Sequence, residues 1–279
     1  MFDTTIILIS YKSEKLILNF IKKLPKSISI IIIDNSNSFL LEDDIKKEYS
    51  NLEIFVKKNN GVSSALNYAV KNIKTKYFLQ ISPDIDFDYK DIFIYLGFAK
   101  KHNNKFAAIG PRFLDVKKKG HKQISESIEY DSIDSIHGSC MFINKECYNE
   151  IGGFDENYFL YFEETDYCYR GKKLGYKSYQ INQLKVTSLG RSVKHKNRDD
   201  EKKVSKVLIW HFIWSKFYYY RKRYGKKFAI ILFMPIIFRT ILKIYLNKFI
   251  NNQENLEKYK TRMDGIMKSI KGKKSYLRP

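Results

Sequence analysis

Three carboxylates within four residues, Glu163, Glu164 and Asp166, follow directly on an aromatic and apolar run from Tyr158 to Phe162. Like charges so close disfavour one another's ionisation, and partial withdrawal from water adds to this, so their pKa values rise towards the strength of a useful general base. The same acids also suit the first turn of a helix starting near Thr165, where negative charge favours the positive end of the dipole. A second pair, Asp84 and Asp86, lies just past an apolar run, with Pro83 promoting a turn between strand and loop. Carboxylates at such an exit suit a hard divalent cation, Mg2+ or Mn2+, which keeps several waters and bridges phosphates. Taken alone, such a pair is more often a solvated loop.

Both groups of acids need a scaffold that brings them together. Thr4 to Ser10 is a β-branched run of the kind buried on both faces of a sheet, and it is followed by helical spacing at Leu16, Ile17, Phe20, Ile21 and Leu24. Ser29 to Ile33 repeats the strand pattern and ends in Asp34-Asn35-Ser36. Glu53 to Val56 makes a third strand before Asn59-Asn60-Gly61, and Tyr77 to Ile81 a fourth before Ser82-Pro83-Asp84. Alternation of strand and helix argues for an α/β sheet with right-handed crossovers. Polar residues gather at each strand's carboxyl end, the edge where such sheets bind ligands. Asp34, Asn60, Asp84 and the acids at 163 to 166 are expected at that edge. The glycine pair Gly152-Gly153 breaks the preceding helical segment, and the turn after it is expected to deliver Tyr158 to Phe162 towards a pocket.

Composition sets further bounds. A chain of 279 residues with 44% hydrophobic and 15% aromatic content can bury a substantial core. The net charge of +21 is uneven: residues 1–167 hold 22 Lys and Arg against 24 Asp and Glu, whereas residues 168–279 hold 29 against 6. Cys140, Cys147 and Cys168 lack metal-ligand spacing, so a reducing compartment fits. The amino terminus reads as a buried strand, not a signal peptide. A nucleic-acid-binding protein would explain the charge alone, and the acidic site in the front half opposes it, so no nucleic-acid partner is expected.

The carboxyl-terminal third is basic, aromatic and apolar. Lys202 to Arg223 mixes an apolar face with many cations, and Lys226-Lys227 introduces an apolar run of eleven residues, Phe228 to Phe238. About twenty are needed to cross a bilayer, so an interfacial or buried segment is expected, kinked at Pro235. An anionic membrane surface suits this composition, and a homodimer would be served as well. Trp210 and Trp214 fit either a core or an interface, and Asn251 to Pro279 either a helix or a disordered tail. The chain is expected to divide into a domain of residues 1–200 and a basic helical region of residues 201–279.

The segments TIILISYKS, IIIIDNSNS, NNGVSSALNYAV, FLQISPDI and HGSCMFINKECYNEIGGFDENYFLYFEETDYCYRGKKLGY occur in this order between residues 4 and 192. Together they resemble the inverting family 2 glycosyltransferases of the GT-A fold, in particular the rhamnosyltransferase-like enzymes of bacterial surface-polysaccharide synthesis. The resemblance implies a Rossmann-like, mostly parallel sheet with flanking helices, a nucleotide-sugar donor such as dTDP-rhamnose or a UDP-hexose, and a lipid-linked or polysaccharide acceptor. It also implies a cytoplasmic protein, peripheral on the inner face of the membrane. Ser10, Tyr11 and Asp34 then lie against the base and ribose, with Asn60 beside the nucleotide. Ser82-Pro83-Asp84 stands where the family's metal-binding motif often reads Asn-Pro-Asp, so Asp84 is the expected Mn2+ or Mg2+ ligand and Asp86 a second candidate. The family's Glu-Asp pair falls on Glu163 and Glu164, which makes Glu164 the expected base, with Glu163 and Asp166 as candidates to share its work. Glu164 departs from the usual Asp by a methylene. Ser188, in Ser188-Leu189-Gly190-Arg191-Ser192, stands where the family tends to carry a His near the metal. Arg191 and His195 are candidates to neutralise the diphosphate, and His137 and Tyr161 to meet acceptor or diphosphate. A catalytically silent sugar-nucleotide binder would share the fold.

Overall fold

Runs of β-branched residues build the centre of the first unit. The computed structural model describes residues 2–36, 47–115, 122–189 and 198–278. These form two units, one of residues 2–155 with 163–189 and one of residues 156–162 with 198–278. A boundary near residue 200 therefore misses one feature: the segment 156–162, just before the acidic cluster, goes with the helical unit.

In the first unit β1 (Thr4–Ser10), β2 (Ser29–Asp34), β3 (Leu52–Val56) and β4 (Tyr77–Ile81) are parallel, in the order β3-β2-β1-β4. Their side chains alternate between two cores. Ile6, Leu8, Ile30 and Ile32 face α1 (Glu14–Ile21) and α3 (Asp91–Lys101), while Ile7, Ile31 and Ile33 face α2 (Val62–Asn72). Burial on both faces explains why these strands read as unbroken apolar runs.

The remainder of the nine-stranded sheet departs from a parallel pattern. It adds β5 (Ile85–Asp86), β6 (Ala108–Phe113), β7 (Tyr130–Ile133), β8 (Cys140–Asn144) and β9 (Ser178–Ser188). Strand β8 runs antiparallel between β4 and β6; β9 lies parallel to β6 and antiparallel to β5 and β7. Asn144 caps α4 (Lys145–Ile151) by accepting the Glu146 N–H at 2.8 Å, and Gly152 ends that helix with a left-handed φ of 86°. Helix α5 (Glu163–Lys173) carries the acids and leads to β9.

The second unit packs α6 (Arg198–Tyr224), α7 (Lys226–Phe249) and α8 (Gln253–Ile270) around Ile213, Phe217, Ala229, Phe233 and Ile266. Trp210 and Trp214 are core residues at 1% and 3% exposure. Gly265 lets α8 approach α6, since a Cβ there would lie 2.8 Å from Ile213 Cγ2 and 2.9 Å from the Trp210 carbonyl oxygen. One open alternative is resolved and one expectation is extended. The tail forms α8 over most of its length, and the eleven-residue apolar run is only part of a 24-residue helix that continues through Pro235.

Candidate active site

Strand directions decide which residues meet. The carboxyl ends of parallel β1, β2, β3 and β4 share one edge of the sheet. Since β8 runs the other way, its start lies at the same edge, as do the carboxyl ends of β6 and β9. Ser10, Asp34, Asp84, Asp115, His137 to Ser139 and Ser188 are all therefore brought to one rim.

Ser10 and Asp34 are register partners, each with 0% exposure. Asp34 Oδ1 accepts from the Ser36 N–H at 2.9 Å and from Ser36 Oγ at 2.6 Å, a local turn that holds the carboxylate at the strand end. Ser10 Oγ is buried without a protein partner among the described residues, the kind of hydroxyl that a ligand can satisfy. Tyr11 is half-buried, which raises its phenol pKa, and Lys12 turns the chain with a φ of 54°. Asn60 is exposed near the end of the loop into α2, one residue before Gly61.

Strand β9 closes onto the Asp84 turn. Ser188 Oγ donates to Asp84 Oδ2 at 3.0 Å, the Leu189 N–H donates to the Asp84 carbonyl at 2.7 Å, and the Ser82 N–H donates to the Ser139 carbonyl at 2.8 Å. The Ser188 N–H also reaches Asp115 Oδ2 at 3.3 Å, so two carboxylates bracket one serine. Burial raises the Asp84 pKa, the Ser188 hydrogen bond opposes the rise, and the charge of Asp115 adds to it. Converging hard oxygen donors with unfavourable negative charge fit a divalent cation. Asp115 was missed in the sequence, although its place two residues past the end of β6 follows the same strand-exit rule that marked Asp84. Asp86 has other surroundings: it is exposed on β5 and pairs with Lys23 at 3.3 Å. It does not share a ligand position with Asp84, so of the two acids expected from the sequence Asp84 remains the metal candidate.

Glu164 lies over Gly138, where a Cβ would stand 3.6 Å from the Glu164 Cγ. The Gly138 carbonyl is fixed by Gln80 Nε2 from β4, and Thr165 Oγ1 donates to Glu164 Oε1 at 3.3 Å. Glu163 is 8% exposed, and its Oε2 has no partner among the described residues. Burial, then the charge of Glu164, pushes the Glu163 pKa well up; burial also raises that of Glu164. Both carboxyls are thus held above the ordinary carboxylate range, as neighbouring buried acids are. Asp166 does not join them. It is an ion-pair partner of Arg170 at 2.8 Å, and Arg170 also donates to the carbonyls of Ile151 and Gly153, stitching α5 to the glycine turn.

The segment before α5 corrects another expectation. Tyr158 and Phe159 fill the helical unit, packing on Tyr218 and His211 with ring centroids 5.0 and 4.5 Å apart. Ser215 Oγ donates to the Leu160 carbonyl at 2.8 Å, Ser275 Oγ to that of Asn157 at 2.9 Å, and the Arg278 guanidinium lies 4.1 Å from the Phe159 ring centroid. Tyr161 and Phe162 then adopt left-handed φ angles of 68° and 69°, strained for bulky residues, immediately before Glu163. Tyr161 meets Phe212 edge-on at 5.5 Å. The His137 ring packs tilted against Phe113, centroids 4.5 Å apart, and accepts the Ser139 N–H at Nδ1, 3.2 Å away. Arg191 and His195 lie outside the described residues.

Comparison with known proteins bears on the family and the fold. The sequence model described as Glycosyl transferase family 2 matches residues 5–246. The low-salt glycan biosynthesis hexosyltransferase Agl10 of Haloferax volcanii is 26% identical over 196 residues, which cover 61% of this chain and 62% of that relative. The N-acetylglucosaminyl-diphospho-decaprenol L-rhamnosyltransferase of Mycobacterium tuberculosis is 35% identical over 51 residues, 18% of this chain and 17% of that protein. In structure the chain resembles the mannosyltransferase PcManGT from Pyrobaculum calidifontis, solved with GDP-Man and Mn2+. The TM-score is 0.55 at 14% identity, over 98% of this chain and 88% of that one. The shared architecture is the GT-A fold.

Proposed function

The chain belongs to glycosyl transferase family 2, and from that premise we propose that it moves a sugar from a nucleotide-diphosphate donor to an acceptor hydroxyl with inversion at the anomeric carbon. The donor is dTDP-rhamnose or a UDP-hexose, and the acceptor a lipid-linked or polysaccharide glycan of the bacterial cell surface. The observation that carries this reading is one rim holding two kinds of carboxyl. Asp84 sits among hard oxygen donors, and Glu164, with a raised pKa, lies beside the buried Glu163 and over Gly138.

Ser10, Tyr11, Asp34 and Asn60 bind and orient the nucleotide at the carboxyl ends of β1, β2 and β3. Asp84, with Ser188, Asp115 and the donor's diphosphate oxygens, would hold Mg2+ or Mn2+, whose chemistry is to neutralise the negative charge of the leaving diphosphate. The structural neighbour PcManGT, solved with GDP-Man and Mn2+, supports the use of a divalent cation. Glu164 takes the proton from the attacking hydroxyl, and the raised pKa that burial gives it makes it a stronger base than an ordinary carboxylate. A single displacement with one base inverts the centre and needs no covalent nucleophile.

A thermal-shift screen of sugar nucleotides with and without Mn2+ tests the donor, because ligand at 100 times its Kd adds about 2.7 kcal/mol of stability. Turnover of the stabilising donor with a glycan acceptor is expected. A donor that binds but is never transferred or hydrolysed would instead identify a silent binder.

A further inference from the structure

Helix α7 has two apolar faces, and one is used within the unit. Ala229, Phe233, Thr240 and Asn247, spaced by four and seven residues, are buried where α7 packs on α6 and α8. On the opposite side Ile231, Met234, Phe238, Leu242, Tyr245 and Phe249 recur every three or four residues. Their exposures are 58, 59, 68, 47, 68 and 90%. At 1.5 Å per residue this stripe is about 27 Å long. Single exposed apolar residues are ordinary, but six in line mark a surface that meets something apolar.

Charge selects the partner. Helix α7 carries Lys226, Lys227, Arg239, Lys243 and Lys248 and no acidic residue, within a chain whose residues 168–279 hold 29 basic against 6 acidic side chains. Pairing with a second copy of this face would set one cationic helix against another. An anionic lipid surface instead answers the stripe and the cations together, each Lys or Arg near its headgroups adding to attraction.

The orientation follows from α8. By length and hydropathy α7 could cross a bilayer: it has 24 residues and a mean hydropathy of 2.0 over its most apolar window. Yet α8, packed against it, carries Glu254, Glu257, Lys258, Lys260, Arg262 and Asp264, which cannot follow it into hydrocarbon. We propose that α7 lies in the plane of an anionic phospholipid surface, with the Ile231–Phe249 stripe in the acyl region and its cations at the headgroups. The inference stands without the transferase reading; joined to it, it favours a lipid-borne acceptor.

Co-sedimentation of the full chain with phosphatidylglycerol–phosphatidylcholine vesicles tests this. Binding is expected to anionic vesicles, to weaken in high salt, and to be at least tenfold weaker on pure phosphatidylcholine. Changing Ile231, Phe238 and Leu242 together to Ser should reduce binding at least tenfold, with elution volume, melting temperature and donor-induced thermal shift unchanged. Arg239→Glu with Lys243→Glu should weaken it by a separate route and guards against misfolding of the first variant. Equal binding to neutral vesicles, no vesicle binding, or a triple variant that turns a dimer into a monomer while still binding vesicles would each overturn the proposal. So would resistance of the membrane-bound protein to alkaline carbonate extraction, the mark of a spanning helix. Failure here leaves donor binding and turnover on a soluble acceptor unaffected, so the two readings fail separately.

Discussion

Glu164→Gln keeps the shape of the side chain and removes its basicity. General-base assistance is worth about 10² to 10⁴-fold, so kcat should fall by that factor, equivalent to about 3 to 5 kcal/mol in the barrier, with donor affinity retained. Wild-type kcat/KM should fall as pH drops through the Glu164 pKa, and burial places that limb above the ordinary carboxylate range. Burial and the charge of Glu164 raise the Glu163 pKa as well, and Glu163→Gln should lower turnover less than Glu164→Gln does. Stability supplies an independent readout. A carboxyl whose folded pKa exceeds its unfolded value makes the native state bind more protons, so its stabilising contribution is complete below the unfolded pKa and is lost as pH rises through the folded one. Each pKa unit is about 1.4 kcal/mol, and each kcal/mol is about 2 to 4 °C in Tm for a domain of 150–250 residues. Glu163→Gln should therefore raise Tm at pH 8, change it little at pH 4.5, and flatten the decline between. Single-turnover kinetics and melting curves at both pH values measure the two effects. Near-wild-type turnover of Glu164→Gln, with Glu163→Gln inactive at unchanged donor affinity, would refute the assignment of the base.

Asp84→Ala should abolish turnover and the metal-dependent part of nucleotide binding in a radiolabelled-donor assay, while Asp86→Ala, which loses only an exposed pair with Lys23, should retain both. Ser188→His places an imidazole where a hydroxyl now bonds Asp84 and should increase the Mn2+-dependent thermal shift; an unchanged Mn2+ titration would separate Ser188 from the metal. Arg170→Met removes the 2.8 Å ion pair that Arg170 makes with the Asp166 carboxylate, 3% exposed. Breaking a buried pair costs about 3 to 5 kcal/mol, so urea unfolding should show a loss of that order, partly restored by adding Asp166→Asn.

The site was legible to different depths. The edge position of Asp34 and Asp84 could be read because each follows an apolar run long enough to be a strand buried on both faces. The partners of those side chains could not. Ser188 and Asp84 lie 104 positions apart, and their hydrogen bond depends on β9 pairing with β5. Asp166 was grouped with Glu163 and Glu164 by adjacency, yet at i+4 from Arg170 it faces a cation across one helical turn. Counting apolar residues in a line stopped α7 at Arg239, whereas the helix disperses its cations around its circumference and continues for ten more residues to Phe249.

By itself the sequence determined the parallel strands β1 to β4, the strand exits that carry Asp34 and Asp84, and the contrast between a near-neutral front and a basic back. Those depend on local pattern and composition. Only the tertiary structure decided that β8 runs antiparallel, which sets Gly138 and Glu164 at the rim that holds Asp84, because a short apolar run such as Cys140–Asn144 encodes burial but not direction. It likewise decided that Tyr158 and Phe159 fill the helical unit. An aromatic run specifies that it must leave water, and which core receives it depends on contacts with residues more than fifty positions away.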